Sequence, residues 1–207
     1  MLFTAYPMGV DKNTDAKFAY GTSQINPTRA INPGLVYDAG EIDYVNFLCG
    51  QGYSNHSLRL VVGDNSSCSQ ATKKPASHLN YPSFILSFTS KFVFTCIFPR
   101  TVTNVGSRVS TYKAIVNAPM TLKIEVIPNV LSFEFVGQKK SFIVRVIAKM
   151  DQSIISGSLI WFDEVHRVQV RSPVVAHVSS LSLSLSVVWG EQLCNVKKKK
   201  KIITWDS

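Results

Sequence analysis

The stretch that decides the fold is TYKAIVNAPMTLKIEVIPN, residues 111–129. Tyr112, Ala114 and Val116 alternate with Lys113 and Asn117, and after Ala118-Pro119 the period resumes with Leu122, Ile124 and Val126 against Lys123 and Glu125. A period of two puts one row of side chains on each face of a pleated strand, so each run predicts a strand with one buried face. The same pattern recurs at Phe142, Val144 and Val146 around Arg145, and at Val168 and Val170 around Gln169 and Arg171. Breakers separate the runs: Asn104 to Gly106, Pro128-Asn129, Gly137 and Asp163-Glu164. About seven short strands with turn signals at these intervals suit an immunoglobulin-like or fibronectin-like sandwich, with both inner faces sharing one dry core.

Outside this region the periodicity changes. Tyr44, Val45 and Leu48 form an apolar face for a short helix from Glu41 to Cys49, with Asp38 as its expected cap, and residues 54–62 predict a second turn or two. No apolar run reaches the roughly 18–20 residues that a membrane-spanning helix requires. Pro7 and Asp11 interrupt the N-terminus early, and no Lys or Arg precedes its apolar residues, so it does not read as a secretory signal.

The chain has 207 residues, 45% of them hydrophobic and 17% charged, with a formal net charge of +9. Lys197 to Lys201 sit in the tail beside Glu191 and Asp206, so the tail alone supplies three of those nine charges. Nucleic-acid binding calls for basic residues clustered on one element with stacking aromatics or a motif, and the body of the chain has neither. A period-two run from Ser180 to Val188 could form a strand, which without a partner would be an aggregation-prone edge. The expectation for residues 179–207 is a disordered, low-complexity basic tail.

Cys49 and Cys68 bracket a segment containing Gly50, Gly52, Gly63 and Asp64, flexible enough to close, and are the candidate disulfide. Two Asn-x-Ser sequons, at Asn55 and Asn65, lie within that loop and are the candidate glycosylation sites of an exposed secretory surface. The alternative leaves both cysteines reduced and both sequons unused. Cys96, inside a predicted strand, and Cys194, in the tail, are expected to be free. No pair has the Cys-x-x-Cys spacing of a zinc or redox site, the four histidines (His56, His78, His166 and His177) are scattered, and no glycine-rich phosphate loop occurs. No metal or cofactor is expected.

Several ordered blocks carry a family resemblance: FAYGTSQINPTRAINPGLVYD at residues 18–38 and RTVTNVG at 100–106, with MLFTAYPM at 1–8, DYVNFLCGQGYS at 43–54, LNYPSF at 79–84 and WFDEVHRVQVRSPVVAHV at 161–178. Together they resemble the C-terminal region of plant subtilisin-like serine proteases, the cucumisin-type subtilases, over residues 1 to about 178. The resemblance implies that residues 1–38 are a remnant of the catalytic domain, 39–78 a helical linker and 79–178 a fibronectin-III-like sandwich. LNYPSF would be the sandwich's first strand and residues 161–178 its closing hairpin. The fold class is thus mainly β, preceded by a short α-containing remnant.

In that family Gly-Thr-Ser introduces the nucleophilic serine and is followed by Met and later Pro-His; here Gly21, Thr22 and Ser23 precede Gln24, Ile25, Asn26 and Pro27. Pro27 and Pro33 forbid the long helix that a subtilase serine opens, so Ser23 is not expected to be a nucleophile and no catalytic residue is assigned. The resemblance implies a non-catalytic accessory region of a serine endopeptidase, extracellular or apoplastic, with the subtilase signal, pro-segment and most of the catalytic domain lying outside it. Residues 1 to about 35, deprived of that domain, are expected to expose apolar surface and fray. Two alternatives remain: a freestanding fibronectin-type module that binds protein through an exposed apolar patch at Phe94, Cys96 and Phe98, and part of a gene product that is an active protease.

Overall fold

In the computed structural model, residues 27–69, 74–88, 93–150 and 153–178 are described. The alternating runs become strands of two facing sheets. One has four strands in the order β1-β3-β7-β5, where β1 is Leu35–Val36, β3 Val93–Asn104, β5 Leu122–Ile127 and β7 Lys139–Lys149. The other has five in the order β2-β9-β8-β4-β6, where β2 is Phe84–Phe88, β4 Ser110–Asn117, β6 Val130–Phe133, β8 Ile154–Asp163 and β9 Val168–Val178. All pairings are antiparallel except that of β2 with β9.

Between the sheets, Phe142 stacks edge-on against buried Trp161, with ring centroids 5.0 Å apart, and Phe84 does so against Phe98 at 5.3 Å. Edge-to-face contact is the arrangement that aromatic quadrupoles favour. Phe88 lies flat on Phe94, and Tyr112 meets Phe133 edge-on.

Phe94, Cys96 and Phe98 belong to this core, at 7%, 4% and 0% exposure, so the apolar patch expected to recruit a partner is not on the surface. The strand alternates Val93, Thr95 and Ile97 outward, and Arg100 continues the inward row. Cys96 is also half of a disulfide, which corrects the expectation that it is free; Cys194 lies outside the described residues.

Leu79 to Ser83 form no strand, contrary to expectation; the sandwich's first long strand is β2, entered through a 3-10 turn at Ala76–His78. The closing hairpin runs from β8 to β9, and the residue of its turn that takes a left-handed conformation is Arg167 (φ +57°). Buried Asp163 braces the turn: its carboxylate accepts from the backbone N–H groups of Val165 and His166 and bonds His166 Nδ1 at 2.7 Å.

Among the described residues, two helices besides the short α1 (Pro27–Ala30) precede the sandwich: α2, Glu41–Gly50, and α3, Asn55–Val62. Asp38 does not cap α2. Gly40 occupies that position, and its N–H is taken by the Asp43 carboxylate at 3.0 Å. Helix α3 has Ser54 as a true N-cap, accepting from Ser57 N–H, and ends on left-handed Gly63. Val45, Cys49 and Leu58 make a small second core between the helices, and Cys49 is disulfide-bonded to Cys68. By the chain-entropy estimate, closing this loop contributes about 3 kcal/mol, mostly by restricting the unfolded ensemble.

Candidate functional site

The segment Pro33–Asp38 is where the N-terminal part of the chain meets the sandwich. Leu35 and Val36 pair with Asn104 and Thr103, so the two motifs NPGLVYD and TVTNVG form one ladder. Leu35 is fully buried, and Val105 N–H donates to the Gly34 carbonyl at 2.8 Å. A division of the chain at residue 38 would therefore cut through a sheet. Of the segment expected to fray, residues 1–26 and with them Ser23 lie outside the described residues, whereas Leu35 is held in the core.

The segment is fastened at three further points. Tyr37 packs edge-on against Phe142, and its hydroxyl lies 3.2 Å from that of Ser172; burial pushes this phenol up to about 12. The Asp38 carboxylate accepts from the Thr103 hydroxyl and pairs with Lys139 at 3.2 Å. Asn80 acts as the clasp: its amide nitrogen donates to the carbonyls of Asp38 (2.9 Å) and Thr101 (2.8 Å), while its oxygen accepts from Thr101 N–H. One amide side chain thus does for the edge of β3 what a neighbouring strand's backbone would do.

Beneath the clasp lies Arg100, only 2% exposed. Its guanidinium donates to the carbonyls of Ser77 (2.6 Å), Tyr81 (2.8 Å), Pro99 (2.8 Å) and, at 3.5 Å, Ser83. It also sits over the rings of Phe84 and Phe98, 4.9 and 5.3 Å from their centroids. No ion pair among the described residues involves it. Burial lowers its pKa to about 10, so it stays charged at neutral pH. Carbonyl dipoles and π-faces do the work of a counter-ion.

An open cleft of about 680 Å³ lies beside these groups. Asp38, Asp43, Lys74, His78, Asn80 and Lys139 edge it with charge and amide, and Pro99, Ile127, Phe142 and Ile143 supply its apolar part. Burial, followed by the charges of Lys74 and Arg100, lowers the His78 pKa, so its imidazole is neutral at pH 7. Acyl transfer needs a hydroxyl or thiol on a base and an orienting carboxylate. The one Asp–His pair among the described residues, Asp163–His166, is used to fold a hairpin turn and has no serine on the ring's other nitrogen. What this site does chemically is hold two chain segments together.

Asp38 gives the clasp a pH dependence. Its pKa is lowered, first by the Thr103 hydrogen bond and then by Lys139. The unfolded chain therefore takes up a proton before the folded one as pH falls, so the contribution is complete above the ordinary aspartate value of about 3.9 and is lost below it. Because the pair is half exposed, screening limits the effect to about 1 kcal/mol or less. The wild-type advantage over Asp38→Asn in urea unfolding should be present at pH 6 and shrink progressively as the pH falls below the ordinary aspartate value. An advantage that grows on acidification would contradict this.

The remaining expected sites lie on the helical pair. Asn55 and Asn65 are both exposed, one at the start of α3 and the other just past its end. His56 is on the same helix, and His177 is in β9. Among the described residues no group of three metal-ligating side chains converges, and no helix is long and apolar enough to cross a membrane. The clasp residues Asn80 and Arg100 were not singled out from sequence. Their role rests on carbonyl acceptors, which every residue carries and no pattern reveals.

Residues 78–176 match the fibronectin type-III domain family. The chain is 43% identical over 180 residues to the subtilisin-like protease SBT4.3 of Arabidopsis thaliana, covering 86% of this chain and 24% of that protein. It is 44% identical over 182 residues to SBT4.14 of the same plant, with the same two coverages of 86% and 24%. The chain thus spans about a quarter of the length of the curated relatives it matches. Among solved structures, the FixG-related protein from Vibrio parahaemolyticus aligns over 44% of this chain and 99% of that one, with a TM-score of 0.33 and 11% identity, a likeness too distant to speak to function.

Proposed function

This chain corresponds to the C-terminal part of the plant subtilisin-like proteases, fibronectin type-III domain included, and from that premise we propose that it is a non-catalytic accessory region that supports the protease fold. The observation that carries this reading is the ladder between Leu35–Val36 and Thr103–Asn104, clasped by Asn80. Through it, the segment that resembles the end of a catalytic domain becomes part of the sandwich, so the two are built to be held in fixed register. Exposed Ile31, Ile42, Leu60 and Val61 on the N-terminal side supply apolar area for a catalytic domain as the partner. An extracellular or apoplastic location accords with the Cys49–Cys68 disulfide, since such bonds persist in oxidising compartments.

Two measurements test this. Incubated with a fluorophosphonate probe, the purified chain should remain unlabelled, and stoichiometric labelling at Ser23 would overturn the non-catalytic reading. In the second, residues 31–178 replace the matching region of SBT4.3. The chimera should be secreted and labelled by the probe, whereas SBT4.3 lacking that region should not. A chimera no better than the deletion would remove the support role.

A further inference from the structure

The two sequons of the Cys49–Cys68 loop are not equivalent in the folded chain. Asn55 is the first residue of α3, and its side-chain oxygen accepts from Cys68 N–H at 2.8 Å, across the loop that the disulfide closes. Ser57, whose hydroxyl completes that sequon, is tied to the N-cap: its N–H donates to the Ser54 hydroxyl at 3.1 Å, and the two hydroxyls lie 3.0 Å apart. Both ends of the Asn55 sequon are thus engaged in a helix start.

Asn65 has the opposite setting. It follows the left-handed Gly63 in irregular chain, it is exposed, and its side chain has no hydrogen bond among the described residues; Ser67 is exposed as well. The backbone around it is presented by neighbours, since Asp64 accepts from Ser66 N–H at 2.7 Å and Arg59 donates to the Ser66 carbonyl.

We infer that Asn65 is the asparagine that carries an N-linked glycan, and that closure of the Cys49–Cys68 disulfide silences Asn55. This rests on the proposed passage through the secretory pathway. There, Asn65 Nδ2 attacks the anomeric carbon of a polyprenyl-pyrophosphate-linked oligosaccharide; the bond from that carbon to the pyrophosphate oxygen breaks, the carbon–nitrogen bond forms, the amide loses one proton, and the lipid pyrophosphate leaves. In the competing step, the thiols of Cys49 and Cys68 give two protons and two electrons to the disulfide of a thiol oxidoreductase, which is reduced to a dithiol.

Cys68 follows Asn55 by 13 residues, so at about 5–20 residues per second of synthesis both are available within about three seconds of each other. Once the disulfide has closed, freeing Asn55 requires unwinding the first turn of α3 inside a tied loop. Asn65 needs no such opening.

The test uses the full chain behind a cleavable secretion signal, translated into microsomes under oxidising conditions, with site occupancy read by mass spectrometry after endoglycosidase H. The expected result is one glycan per chain, at Asn65, falling to none in Asn65→Gln. In Cys49→Ser, and independently in Cys68→Ser, occupancy of Asn55 should rise at least fivefold and give doubly glycosylated chains. A glycan at Asn55 of the oxidised wild-type chain, an empty Asn65, or an Asn55 that stays silent in both cysteine variants would each overturn the inference. Because the signal imposes entry, these outcomes are independent of the probe and chimera results on function. Because an unfolded chain remains open to transfer, a variant that misfolds still reports the occupancy of both asparagines.

Discussion

Arg100→Ala should destabilise the chain by about 3–5 kcal/mol, the largest effect expected of any single side-chain truncation in the sandwich. A bare buried guanidinium would be costly, since desolvating an ion in a protein interior takes several kcal/mol. Hydrogen bonds to a charged group return about 1.5–3 kcal/mol each, and Arg100 makes three good ones and one long one besides its two ring contacts. The sum favours the buried charge. Truncation loses those bonds and leaves the carbonyls of Ser77, Tyr81 and Pro99 without a donor, in a void between Phe84 and Phe98.

Two further variants separate the causes. Arg100→Lys keeps the charge but lacks the planar fork that reaches several carbonyls at once, so an intermediate loss is expected. Arg100→Met fills the space without donors and should remain within about 1 kcal/mol of alanine if orphaned carbonyls dominate. Urea unfolding followed by far-UV circular dichroism gives the three values. A methionine variant as stable as wild type would show that the carbonyl cage contributes nothing net. Hydrogen exchange adds the location, because Leu79 to Ser83 should lose protection first when their anchor goes.

The same residue shows where legibility in the sequence stops. Strands β4, β5 and β7 were readable because lysine, arginine and glutamate fall on one face and apolar residues on the other. In β3 the period was equally regular, yet Arg100 falls in the row of Phe94, Cys96 and Phe98 and marks that row as the wet one. A charge that is satisfied by main-chain carbonyls leaves no partner in the sequence, so the alternation pointed outward where the structure turns it in. Asn80 misleads for a related reason: LNYPSF looks like a strand, but its pairing to β3 is made by an amide side chain.

Local capping rules likewise favoured Asp38 as the start of α2. A stronger pairing with Thr103 and Lys139, more than 60 residues away, takes the carboxylate elsewhere. The Cys49–Cys68 loop was legible because flexible glycines and paired spacing are local features. What distinguishes Asn55 from Asn65 is a hydrogen bond across that loop, which spacing cannot show.

Gly34→Ala should cost about 2–5 kcal/mol and undock the Pro33–Asp38 segment while leaving the sandwich folded. Gly34 has φ +75°, a conformation that costs a residue bearing a Cβ about 1–2 kcal/mol. That Cβ would also lie 2.5 Å from Val168 Cγ1 and 2.7 Å from the Tyr112 hydroxyl, and overpacking of this kind typically costs about 1–3 kcal/mol. Val168 and Tyr112 are paired into β9 and β4, so the lighter element, the two-residue β1, is the one that yields. The Val105 amide, which donates to the Gly34 carbonyl, should then exchange much faster, while amides between β8 and β9 keep their protection. Combining Gly34→Ala with Val168→Ala removes the nearest clash, and the double variant should recover about 1 kcal/mol relative to additivity, leaving the conformational part of the cost. A Gly34→Ala chain within about 0.5 kcal/mol of wild type, with Val105 still protected, would mean that the segment is not held by this contact. If the expected result is obtained, a single methyl group at the seam separates the N-terminal segment from an intact sandwich. The same change in the SBT4.3 chimera would then ask whether a folded sandwich suffices for support or must also be joined through this ladder.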